Sequence, residues 1–217
     1  MGRGSSKAGG GGNINPGNVK STYDMISNRG KNPQETDQVL SVAKDIVDQY
    51  GKNYALNGTF QVAKMSGNSY SMAYYDSDGN IAINEKYFDS AKMDTAYDGC
   101  VDSGFHPSRG NKTGLQATAA HEYGHALTDM AGKTMGKDLH SAATQIVNEA
   151  AESLRGRAGE LGEKRMTPSR VSKHISGYAQ RNDAETIAEA FSDVYCNGKK
   201  ASIASQAVVN VLNKYLK

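Results

Sequence analysis

Along the first twenty residues almost no apolar side chain appears, and the first helical spacing of hydrophobic positions begins after Pro33. There Val39, Ala43, Ile46, Val47 and Tyr50 recur, and Gly51 supplies a stop, so a helix is predicted. The pattern then changes. Thr59–Met65 and Ser69–Tyr75 read as strands, and the second leads through the turn-rich Asp76–Asn80 into Ile81–Ile83, whose alternation suits a third. Asp76 and Asp78 lack the remaining positions of a calcium loop, and a hairpin turn accounts for them.

A polar, irregular stretch with Gly104, Pro107 and Gly110 follows. From Leu115 to Met130 the chain is rich in alanine and free of proline, which predicts a helix with Gly132 just past its end. Further helices are expected at Asp138–Arg157, Asp183–Asn197 (with Gly198 as stop) and Ser202–Leu216. A small sheet followed by several helices defines an α+β class. The Gly/Ser/Asn-rich residues 1–20 bury too little apolar surface to offset their ordering entropy and are expected to be a flexible tail, with a single domain over 21–217.

Charge and composition narrow the partners. Twenty-five basic residues stand against 23 acidic ones, a net of +2, which gives no electrostatic reason to expect nucleic acid or a membrane surface. No apolar run approaches the length of a membrane-spanning helix, and the N-terminal MGRGSSKAGGGG lacks the apolar stretch of a secretory signal. The expected location is the cytoplasm or a virion assembled there. Cys100 and Cys196 have no CxxC spacing and are expected to be two free thiols.

Inside the alanine-rich helix, residues 121–125 spell HEYGH. Residues four apart share a helix face, so His121 and His125 can aim both imidazoles at one ion. Zinc accepts His nitrogens at about 2.0–2.1 Å and prefers four ligands, one of them water in catalytic sites. Glu122, beside the first imidazole, is placed to take a proton from that water. Gly124 leaves room for another element to pass close.

A third protein ligand must come from elsewhere. Position 131 is alanine, where a metzincin would carry its third His, and that class is excluded. Asp129 lies one turn beyond His125, too far along the helix to close the same coordination sphere, and reads either as an acid bracing a ligand or as a helix-surface acid. Three glutamates stay open: Glu149 in NEAAES, Glu185, and Glu189 with Asp193 behind it, the last two four residues apart in YAQRNDAETIAEAFSD. His106, in GFHP, reads as a loop histidine with no role, the alternative being a place at the mouth of such a site; His140 and His174 fall near helix ends.

The stretch Tyr178-Ala-Gln-Arg-Asn182-Asp-Ala-Glu185-Thr-Ile-Ala-Glu189-Ala-Phe191, together with HExGH, resembles the active-site segments of the anthrax lethal factor-like zinc metallopeptidases. Small relatives of that family are carried by phages and mobile elements. The likeness covers roughly residues 115–130 and 176–193, with a longer linking region than in lethal factor. It implies a zincin-like domain of gluzincin type that binds Zn2+ through His121, His125 and Glu185 and cleaves a protein or peptide substrate. Glu122 would be the general base, Tyr178 a donor to the tetrahedral intermediate, and Glu189 an acceptor that fixes a ligating imidazole. The rival expectation is a non-proteolytic virion or interaction protein that keeps a zinc-binding domain.

Overall fold

The structure is a computed structural model that describes residues 32–51, 60–65, 71–76 and 78–216. The expected N-terminal tail and parts of the first two expected strands lie outside the described residues.

The first helical spacing becomes α1, Pro33–Tyr50, entered through a proline in its first turn, whose fixed φ suits that position. Its buried stripe is Thr36, Val39, Leu40, Val42, Ala43 and Ile46. Three strands follow: β1 (Phe60–Ala63), β2 (Ala73–Tyr75) and β3 (Ile81–Asn84), in the order β1-β3-β2. The hairpin between β2 and β3 is antiparallel, with Ala73 opposite Ile83 and Tyr75 opposite Ile81. At its turn Asp76 accepts the backbone N–H groups of Asp78 and Asn80 and the Asn80 amide, so its carboxylate serves the turn. β1 runs parallel to β3, from Phe60 opposite Ile81 to Ala63 opposite Asn84. β3 is therefore the middle strand of this sheet. All four residues of β3 are buried, so the one-sided burial that alternation implies does not hold for this strand, which is covered on both faces.

Next come α2 (Ser90–Asp102), α3 (Gly114–Met135), α4 (Leu139–Ser153), α5 (Pro168–Lys173), α6 (Asp183–Asn197) and α7 (Ile203–Tyr215). The whole is mixed and mostly helical, consistent with the α+β class. The chain divides into two compact units. One takes in residues up to Ala96 together with Thr113–Glu122; the other takes in Tyr97–Lys112 and Tyr123–Lys217. Both boundaries within Gly114–Met135 and Ser90–Asp102 fall inside continuous helices.

The first unit has its core in the α1 stripe, β3, Phe88, Met93 and Leu115. In the second, α6 packs against α4 and α7. There Ile146, Val147, Ile187, Ala188, Val208 and Leu212 are all fully buried. No helix among the described residues is long and apolar enough to cross a membrane. Cys100 and Cys196 are both free, and burial pushes the Cys196 thiol up to about 12.

Two expectations need correction. The stretch after β3 is not irregular throughout, because α2 forms there, with Asp89 accepting the Lys92 N–H at its start. Nor does the motif helix stop at Gly132. It continues to Met135 and closes on Gly136, whose φ of 66° is the left-handed conformation that glycine adopts without penalty. There the Lys137 N–H reaches the Gly132 carbonyl and the Gly136 N–H that of Lys133, the two bonds of a Schellman ending.

Candidate metal centre

The HEYGH stretch lies in the interior of α3, and His121 is 9% and Glu122 5% exposed. Because α3 is unbroken, the helix alone sets His121 one turn from His125. Glu122, three residues before His125, shares that side of the helix.

α6 brings the carboxylate. Asn182 caps its N-terminus, its side chain accepting the Glu185 N–H at 2.9 Å. That bond fixes the first turn, from which Glu185 Oε2 comes to 3.3 Å from His125 Nε2. The ligating atoms of His121, His125 and Glu185 all lie within 4.8 Å of one another. Among the described residues this is the group of His, Cys, Asp and Glu side chains that converges in this way.

The donor set fits a metal ion. Two imidazole nitrogens and a carboxylate oxygen are the ligands of a three-protein-ligand zinc site. Ligands about 2.0–2.1 Å from a tetrahedral ion stand about 3.3–3.4 Å apart, the spacing of the His125–Glu185 pair. The approach of α6 depends on Gly124. A β-carbon there would stand 2.7 Å from the Ala188 Cα and 3.2 Å from the Phe191 Cβ.

The other sequence candidates have different company. Glu149 accepts hydrogen bonds from Tyr215 and Gln145, and the Tyr215 hydroxyl holds its carboxyl below the usual range. Asp193 accepts the Ser202 N–H at 2.9 Å and the Asn197 amide at 2.8 Å, so it ties the end of α6 to the start of α7. Asp129 pairs with Lys133 along α3, as a surface acid does. His174 lies against Glu163 at 3.1 Å.

Glu189, one turn after Glu185, is 1% exposed. The His106 imidazole stands against it, with Nδ1 2.9 Å from Glu189 Oε1. Ser176 donates to Oε2 at 2.8 Å. His106 is thus no idle loop histidine, and no local pattern points to it, since its partner lies 83 residues away. Its ring stacks on Tyr97, with centroids 5.2 Å apart and planes 12° from parallel. Tyr97 is buried, and that burial, with the nearby Glu189 carboxylate, raises its phenol well above the ordinary tyrosine value. Tyr178 sits at the start of a short 3-10 turn before α6, its ring 5.0 Å from Phe105 and 5.4 Å from His106, with the Arg181 guanidinium 4.8 Å over its face.

Comparison with the known protein families returns no match, and comparisons with curated proteins and with solved structures return none either.

Proposed function

We propose that this protein is a zinc-dependent endopeptidase with a zincin-like domain of the lethal factor-like kind, acting on a protein or peptide. The observation that carries the reading is Glu185, which lies far from HEYGH in sequence and 3.3 Å from His125 in space. A chance HExxH has no reason to find a carboxylate waiting there.

His121, His125 and Glu185 would hold the ion. When bound, zinc would supply Lewis acidity, polarising the scissile carbonyl and lowering the pKa of water at the site. Glu122 is the proton carrier: its carboxylate takes the proton of the attacking water and delivers it to the departing amine. Burial of Glu122 keeps this acid–base group out of bulk solvent. The Tyr178 hydroxyl donates to the oxygen that becomes negative as the carbonyl is attacked. A binding domain without catalysis would have no use for a buried Glu122 beside the first imidazole, and this favours the enzyme over the interaction protein.

The test is cleavage of a denatured protein mixture by the purified chain, with and without a chelator. The wild type should cleave and lose activity with chelator. Glu122→Gln should retain stoichiometric zinc and cleave nothing. Cleavage by Glu122→Gln at the wild-type rate would refute the role of Glu122, and zinc binding with no cleavage by the wild type would leave the interaction protein as the reading.

A further inference from the structure

A carboxylate buried as deeply as Glu189 is costly unless hydrogen bonds compensate it. Two groups that do so come from different loops. His106 belongs to the segment between α2 and α3, and Ser176 to the segment between α5 and α6. Ser176 Oγ also accepts the Ala179 N–H at 3.0 Å, closing the turn around Tyr178.

The same two loops are joined by backbone. Gly177 N–H donates to the Gly104 carbonyl at 2.8 Å, and Tyr178 N–H to that of Phe105 at 2.9 Å. Side chains complete the junction, because Phe105 and His106 both lie against the Tyr178 ring. A Cβ on Gly177 would come within 3.1 Å of the Gly104 carbonyl oxygen, so the backbones meet closely where a glycine allows it.

We propose that His106 is a positioning residue: bonded to Glu189 and stacked on Tyr97, it latches the Tyr178 segment to α6, the helix that carries Glu185. The orientation of Tyr178 relative to the third ligand is then set by His106, Glu189 and Ser176 together. The imidazole suits the task because its Nδ1–H donates to the carboxylate while its flat face packs on Tyr97. The part of the inference that concerns catalysis rests on the reading of Tyr178 as donor to the oxyanion; the latch itself does not.

Two variants separate the terms. His106→Phe keeps an aromatic ring on Tyr97 and removes the donor, whereas His106→Asn retains an N–H near the Nδ1 position. Amide hydrogen exchange at Gly177 and Tyr178 should be about ten-fold faster or more in His106→Phe, with His106→Asn closer to wild type, because loss of the latch opens this segment locally. Ser176→Ala should raise exchange at the same two amides, while zinc content and helical signal stay at wild-type levels in all three. In a cleavage assay His106→Phe should lower kcat with little change in KM, and adding it to Tyr178→Phe should cost little more. Unchanged exchange at both amides in His106→Phe and in Ser176→Ala would overturn the latch. Full multiplication of the two kcat effects would overturn action through Tyr178. If exchange responds as expected and even the wild type cleaves nothing, the latch stands and the peptidase reading fails.

Discussion

Gly124 of α3 and Ala188 of α6 approach so closely that a β-carbon on the glycine would lie 2.7 Å from the Ala188 Cα. The obstacle is backbone, so it cannot swing aside like the end of a flexible side chain. Gly124→Ala should therefore push α6 from α3, with a stability loss of about 1–3 kcal/mol from overpacking. Glu185 would move with α6, so zinc affinity should fall as well. Gly99 is the control: it is exposed within α2, and a β-carbon there would meet nothing within 4 Å. Gly99→Ala should stabilise by about 0.5–1 kcal/mol, because alanine loses less entropy in a helix. Urea unfolding of both variants checks the pair, and equal effects would contradict the close approach.

Asn182 links helix stability to the site. Its side chain caps α6 by accepting the amide of Glu185 itself. Asn182→Ala should cost about 1 kcal/mol as a lost cap, and Asn182→Asp should cost less because a carboxylate also caps. The alanine variant should in addition bind zinc more weakly, since the turn that presents Glu185 frays. Thermal melts with and without zinc separate the two effects. A destabilised variant whose zinc affinity is unchanged would show that the cap does not position the ligand.

The choice among glutamates is directly testable by metal titration. Loss of a residue that merely braces a ligand typically costs 10–100-fold in affinity, and loss of a ligand should exceed that, so Glu185→Ala should fall by more than about 100-fold. Glu149→Ala should leave zinc affinity unchanged, because its carboxylate serves Tyr215 and Gln145. The reverse ranking would move the site to α4.

The Glu149–Tyr215 bond predicts a pH window. Tyr215 holds the Glu149 carboxyl below its ordinary value, so the stabilisation is present above the usual glutamate range and is lost as pH falls through the lowered folded value. Glu149 in turn raises the Tyr215 phenol, so the contribution is present below the ordinary tyrosine value of 10.0 and is lost as pH rises through the raised one. Both groups are partly exposed, and screening limits the bond to under about 1 kcal/mol. Tyr215→Phe should therefore differ from wild type at neutral pH and converge with it in acid and in strong alkali. Denaturation midpoints across pH measure the difference, and a constant gap would exclude the bond as its source.

What can be read from sequence divides along physical lines. α6 is predicted at its observed bounds because Asn182 and Gly198 punctuate a strong apolar stripe. α2 escapes notice: Met93 and Tyr97 are its buried apolar residues, and Gly99 interrupts the propensity. The predicted end of α3 falls short because two glycines, 132 and 136, offer the same local signal, and only the bond from Lys137 N–H to the Gly132 carbonyl distinguishes them. In the site, His121 and His125 are legible because helical period alone aligns them. Glu185 becomes legible only through the resemblance that selects it from three glutamates. The His106–Glu189 contact is not legible, since nothing local joins a loop histidine to a helix acid 83 residues on.

Zinc should also stabilise the fold by mass action, since the three ligands come from two helices that unfolding separates. A ligand that binds only the native state contributes RT ln(1 + [L]/Kd), about 2.7 kcal/mol at a free concentration 100 times Kd. The melting temperature of the wild type should therefore rise with zinc and fall back with chelator. His125→Ala removes one imidazole and should abolish most of that shift, while Glu122→Gln keeps all three ligands and should retain it. If His125→Ala gains as much from zinc as the wild type, the ion that stabilises the protein sits elsewhere, and the converging triad is not its site.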